Sequence, residues 1–140
     1  MSDLTLNVSR TIKAPIEAVY NAWLDPKMLA QFVIPGPGMS VPKAETDPRV
    51  GGKFSIVMAA GEQEIPHWGV YKTLNPHNLI EFTWQSPFSV EDSTVTLNLS
   101  TTDEGTLVEL THVKFTDENS RNNHLGGWTA ILDSLAGFMS

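Results

Sequence analysis

The chain of 140 residues contains no cysteine. That excludes disulfides, thiolate metal sites and a cysteine nucleophile. Basic residues are scarce as well: nine Lys and Arg stand against sixteen Asp and Glu, for a net charge of −7. The nine are spread thinly, with no basic run and no basic amphipathic helix. Phosphate backbones and anionic bilayers are held chiefly by clustered Lys and Arg, so nucleic acid is not an expected partner. No apolar run approaches the roughly 18 residues of a membrane span. Met1-Ser2-Asp3-Leu4 lacks the basic and apolar regions of a secretory signal, and the expected location is the cytoplasm. Motifs of chemistry are missing too. There is no HExxH, no two of the four histidines share a helical ligand spacing, and no Gly-x-Ser-x-Gly elbow occurs. Gly36, Gly38, Gly51 and Gly52 do not form a phosphate loop. No metal, no cofactor and no catalytic residue are expected, and an enzyme is the less favoured class.

What is present is an ordinary globular composition, 41% apolar and 18% charged, enough for one domain over 1–140 with a real core. Leu4, Leu6, Val8 and Ile12 alternate with polar residues, the period of a strand with one buried face. Pro15 suits the start of a helix carrying Ile16, Val19, Tyr20 and Trp23. Asp25-Pro26 stops it and opens a short second helix through Met28 and Leu29. Pro35-Gly36-Pro37-Gly38 is a loop, and Ser40 to Ala44 is a candidate short strand. Phe54, Ile56 and Met58 form one strand face, and Ala59-Ala60-Gly61-Glu62 reads as a hairpin connection. Trp68 and Val70 come next, up to the turn Asn75-Pro76-His77-Asn78. Further alternating sets are Ile80, Phe82 and Trp84; Val95, Leu97 and Leu99; and, after the turn Asp103-Glu104-Gly105, Val108, Leu110 and His112. Strand after strand joined by short turns is an antiparallel meander. Asp117 can cap a long final helix whose apolar stripe is Leu125, Trp128, Ile131, Leu132, Leu135 and Phe138 or Met139. Gly126-Gly127 inside it suggests a kink or a close approach to the sheet.

Several motifs in this order resemble a known group. They are Arg10 with Ala14-Pro15 and Val19, Ala22-Trp23 with Asp25-Pro26, Asp47-Pro48-Arg49-Val50-Gly51-Gly52-Lys53-Phe54 and Met58. Gly69 before Asn75-Pro76, Phe82-Thr83-Trp84, Thr111-His112 and Gly127-Trp128 complete the set. The chain resembles the START-like (Bet v 1-like) superfamily, in the branch named after the activator of the Hsp90 ATPase. The resemblance implies an α+β helix-grip fold: a curved antiparallel sheet around a long C-terminal helix, with two short helices after the first strand. It also implies a chamber between helix and sheet for a small hydrophobic, amphipathic or lipid-like ligand. At Gln31-Phe32-Val33-Ile34-Pro35 the sequence departs from a tryptophan pair common in the branch, which alters one wall near the pocket mouth.

The expected lining is Phe54, Ile56, Met58, Trp68, Val70, Phe82, Trp84, Leu97, Leu110, Trp128, Ile131 and Leu132. For Trp68, Trp84 and Trp128 the rival reading is plain core packing, because alternation gives direction and not volume. His112 and Arg10 share inward parity. His112 is either a neutral group that orients a ligand or a core histidine satisfied by a neighbour. Arg10 either meets a ligand carboxylate or pairs with an internal acid. Two alternatives to ligand binding stand beside it: a cyclase- or hydrolase-like enzyme using the same chamber, and a chaperone partner of the Hsp90 type.

Overall fold

The computed structural model describes residues 4–34, 38–86, 93–115 and 117–139. The expected Pro35-Gly36-Pro37 loop and the turn entered at Pro87 lie outside the described residues. Seven strands form one antiparallel sheet in the order β1-β7-β6-β5-β4-β3-β2. They are β1 (Thr5–Ile12), β2 (Met39–Thr46), β3 (Lys53–Ala60), β4 (Gln63–Asn75), β5 (Leu79–Thr83), β6 (Thr94–Thr102) and β7 (Gly105–Val113). Two short helices, α1 (Ile16–Ala22) and α2 (Pro26–Phe32), follow β1, and α3 (Glu118–Met139) ends the chain. Only β1 breaks the meander, by pairing with β7 rather than with its sequence neighbour. The result is an α+β helix-grip architecture. No helix among the described residues is long and apolar enough to cross a membrane.

Local chemistry sets the element ends. Pro15 is the N-cap of α1, in an extended conformation that its ring favours. The Asp25 carboxylate accepts a hydrogen bond from Lys27 N at 2.8 Å and so caps α2, with Pro26 at its first position. The Asp117 carboxylate accepts from Ser120 N at 2.8 Å and closes the first turn of α3 in the same way. Gly61 and Gly105 hold φ of 63° and 143° at the β3–β4 and β6–β7 turns, where a side chain would be strained. Despite Gly126-Gly127, α3 is unbroken.

The core lies between the sheet and α3. Phe54, Ile56 and Met58 on β3, Ile80 and Phe82 on β5 with Trp84 just after it, Val95, Leu97 and Leu99 on β6, and Val108 and Leu110 on β7 are all buried, as their alternation predicts. They meet Trp128, Ile131, Leu132 and Leu135 of α3. Leu125 is exposed, so the buried stripe starts at Trp128, and of the two expected residues at its far end Met139 packs against the core while Phe138 is exposed. At the departure from the tryptophan pair, Phe32 is wholly buried and meets Trp23 edge to face at 4.9 Å.

β4 corrects the sequence reading. Its inward residues are Gly69 and Tyr71, both buried, and the partly buried His67, not Trp68 and Val70. The β3–β4 register decides this, because directly paired residues share a face. Phe54 pairs with Gly69 and Ile56 with His67, so Trp68, paired with Ser55, faces outward and is 44% exposed. Packing enforces the choice. A Cβ at Gly69 would lie 1.9 Å from Thr83 O and 2.7 Å from the Phe54 ring, so the inward position tolerates only glycine. A register shift between Tyr71 and Thr73 then puts Tyr71, opposite Phe82, and Leu74, opposite Ile80, on one face at a spacing of three.

Candidate functional site

Between helix and sheet there is little empty space. Trp23, Leu29, Val33, Phe54, Ile56, Tyr71, Phe82, Trp84 and Trp128 enclose a cavity of only about 20 Å³. That is room for about one water. Trp23, whose Nε1 is buried without a partner among the described residues, is part of its wall. Burial and the Asp47 charge raise the pKa of the Tyr71 phenol, so it stays protonated. Leu97, Leu110 and Leu132 are wholly buried and line neither this cavity nor the cleft further out. They pack the core.

The open space lies one side chain further out. Trp84 and Trp128, with ring centroids 5.0 Å apart, form a wall shared by the small cavity and a cleft of about 540 Å³. The apolar lining of the cleft comes from Met39 at the start of β2, Met58 and Ile65 at the β3–β4 hairpin, and Ile131 of α3. Its polar lining comes from His67, from Asp117 just before α3 and from one face of that helix, Asn119, Ser120, Asn123 and His124, with Gly127 beside them. Of the expected site residues, Met58, Trp84, Trp128 and Ile131 reach this cleft. Phe54, Ile56 and Phe82 line the small cavity and not the cleft.

Two further expected residues are elsewhere. Trp68 and Val70 line a separate depression of about 460 Å³ on the outer side of β3 and β4, with Glu45, Asp47 and Lys53. Arg10 is exposed and its guanidinium donates to Asp133 of α3, tying the edge strand to the helix. It lies outside the cavity and the cleft, because β1 is the sheet edge where α3 crosses and the long side chain reaches past the core to water.

His112 is 1% exposed and has both ring nitrogens engaged. Trp128 Nε1–H donates to its Nδ1 at 3.0 Å, and Ser93 Oγ lies 2.6 Å from its Nε2. An indole N–H can only donate, so Nδ1 is the acceptor and the proton of the neutral ring sits on Nε2. Nε2–H therefore donates to Ser93 Oγ. This wiring is opposite to that of a general base, which needs a free lone pair facing the serine. Burial, and then the His124 charge, push His112 down to about 3, so the ring stays neutral. His112 thus anchors Trp128, one half of the cleft wall.

His67 and His124 were not expected in a site. The His67 ring stacks on Trp84 at 4.9 Å and 28°. Burial pushes it down to about 4; His124 adds to this, and the nearby carbonyls of Ile65 and Ile56 oppose it in part. Its Nδ1 is buried with no hydrogen-bond partner among the described residues. His124 Nδ1–H donates to Ser120 O at 2.8 Å, and its ring meets His112 edge to face at 5.3 Å. The signal for His67 was present in the hairpin turn. Counting back from a two-residue Gly61-Glu62 turn pairs Ile56 with His67 and so places His67 inward.

A sheet gripping a C-terminal helix, with a cleft at the helix's N-terminal half, defines a protein of the START-like class. The family model described as "Activator of Hsp90 ATPase homolog 1-like protein" matches residues 13–140, and the chain belongs to that family. Among solved structures, a protein from Chromobacterium violaceum is 27% identical, with 96% of each chain covered and a TM-score of 0.83. An AHSA1-like protein from Aeromonas hydrophila is 23% identical over 96% of this chain and 91% of its own, with a TM-score of 0.83. A protein from Nitrosomonas europaea is 22% identical over 96% and 92%, with a TM-score of 0.81. The last two share the fold. No curated protein matches the chain.

Proposed function

We propose that the protein binds a small, largely apolar or amphipathic molecule in the cleft between α3 and the β3–β4 hairpin. The observation that carries this reading is the cleft itself. Its volume of about 540 Å³ falls within the roughly 300–1,000 Å³ of small-molecule sites. It also combines an apolar lining with a few polar groups concentrated on one helix. Covering apolar ligand surface at about 25 cal/mol per Å² supplies the affinity, less the cost of immobilising the ligand. The test is mass spectrometry of the purified protein under native and then denaturing conditions. A reproducible small molecule released only on denaturation, and lost in Met58→Asp, is the expected result. A ligand retained undiminished in that variant would sink the cleft as its site.

An enzyme in the same space is less well supported. His112, the histidine singled out in the sequence, has both nitrogens occupied and the wrong one protonated for base catalysis. The family name points to a second reading, association with an Hsp90-type chaperone. Recovery of such a chaperone in a pull-down that Trp68→Ala abolishes would favour it, since Trp68 is the large apolar side chain exposed on the outer face.

A further inference from the structure

Trp23 carries a hydrogen-bond donor that the fold leaves unmet. It is the C-cap of α1 and 5% exposed, and its Nε1 is buried with no partner among the described residues. An indole N–H can only donate, and a buried donor left unmet costs about 1–3 kcal/mol. The ring is not free to turn to water. Just beyond it Leu24 N and Asp25 N both donate to Asn21 O, at 3.1 and 3.0 Å, and Thr46 Oγ1 donates to Leu24 O at 2.8 Å. The ring itself meets Phe32 edge to face at 4.9 Å. Swinging it out would give up the burial of a large apolar surface. The empty space that Trp23 borders is the inner cavity of about 20 Å³.

The rest of that wall narrows the chemistry. Its other polar side chains are Tyr71, Trp84 and Trp128, and Trp128 spends its N–H on His112 Nδ1 at 3.0 Å. No charged side chain is among the described residues lining the cavity, so an ion there would be desolvated with nothing to meet it. We propose that the inner cavity is a binding site for one neutral oxygen acceptor, and that Trp23 Nε1–H is the donor that holds it. The volume admits two sources of that oxygen. One is a water molecule, for which the Tyr71 phenol on the same wall offers a second partner. The other is the carbonyl or ether tip of a molecule whose body lies on the cleft side of the Trp84–Trp128 wall. The site stands with or without a ligand in the cleft, since water alone satisfies it.

Nuclear magnetic resonance of the full chain, isotopically labelled at the indole nitrogens, tests this. Four indole N–H resonances are expected, one per tryptophan, and Trp23→Phe identifies its own by loss. Should that variant fail to fold, proximity to the Phe32 ring identifies the resonance instead. The Trp23 proton is expected at or downfield of the indole proton of free tryptophan in water, the position of a hydrogen-bonded donor. A rotating-frame cross-peak to water with the sign of dipolar contact rather than exchange assigns the oxygen to water. A hydrogen-bonded shift without that cross-peak, in protein whose native mass carries a small molecule, assigns it to that molecule. An upfield proton with no contact to water, the signature of a donor facing only aromatic rings, overturns the proposal. So does a hydrogen-bonded shift with neither water nor a bound molecule, because the acceptor is then a group of the protein itself.

Discussion

The two sides of the Trp84–Trp128 wall differ in kind. Behind it, residues from α1, α2 and four stretches of sheet and helix close to about 20 Å³. In front of it, residues from β2, β3, β4 and α3 leave about 540 Å³ open. The inner side is filled because its side chains are large and aromatic: Phe54 alone meets Tyr71, Phe82 and Trp84 within 5.2–6.2 Å. The outer side is open because α3 begins with short polar residues, Asn119, Ser120 and Asn123, and passes Gly127 where it faces the hairpin. The same helix therefore seals one half of the grip with Trp128, Leu132 and Leu135 and holds the other half apart. In a helix-grip protein, a site need not lie at the apolar centre where the pattern of alternation points.

Acidification has the largest expected effect, through one imidazole in the core and one in the cleft wall. His112 and His67 are held at about 3 and about 4, while an unfolded histidine titrates near 6.5. Below pH ~6.5 the unfolded chain binds protons that the folded chain refuses, so stability is full above that pH and falls as pH drops towards the folded values. The expected loss is on the order of 1 kcal/mol per pH unit for each imidazole, several kcal/mol across the window. Urea midpoints measured from pH 7 to pH 4 check this, and a flat profile contradicts the buried, neutral assignment. Next in size is Leu97→Ala, in the wholly buried part of the core. It should lower stability by about 2–5 kcal/mol. Met58→Ala at the cleft should cost less, since one side of its side chain already faces open space; equal losses would erase the contrast between filled and open halves.

Gly69→Ala sharpens the register argument. With Thr83 O and the Phe54 ring in the way, about 1–3 kcal/mol of destabilisation is expected, read as a shift in melting temperature. The smallest effect belongs to Trp68→Ala. This side chain is outward, so stability should change by no more than about 0.5 kcal/mol and binding of a cleft ligand not at all. Weakened binding of the co-purifying small molecule in Trp68→Ala would mean that the outer depression, not the cleft, holds the ligand.

Much of the fold was legible because single residues carried it. Asp25-Pro26 marks a helix junction by chemistry, Gly105 marks a hairpin by conformation, and Val95-Leu97-Leu99 marks a buried strand face by period. β4 misled because apolar residues stand on both of its faces. Trp68 and Val70 form a convincing alternating pair, while the true inward set pairs a histidine with a glycine and a tyrosine. Arg10 shows a different limit: its parity was read correctly, but at a sheet edge a long cation on the inner face reaches water and Asp133 instead of a chamber. The cleft was least legible. Met39, Ile65, His67, Asn123 and His124 come from three separated segments, and no spacing along the chain announces their meeting.

By itself the sequence determined the order of elements, their caps and turns, the buried faces of β3, β5, β6 and β7, and the family. These follow from local conformational preference and from the burial of one face, which the period of the chain records. Only the tertiary structure decided which face of β4 turns inward, that His112 is wired to Ser93 and Trp128, and that the space lies in front of the tryptophan wall. Those depend on register and on volume, and volume is a property of side chains brought together from different strands and helices.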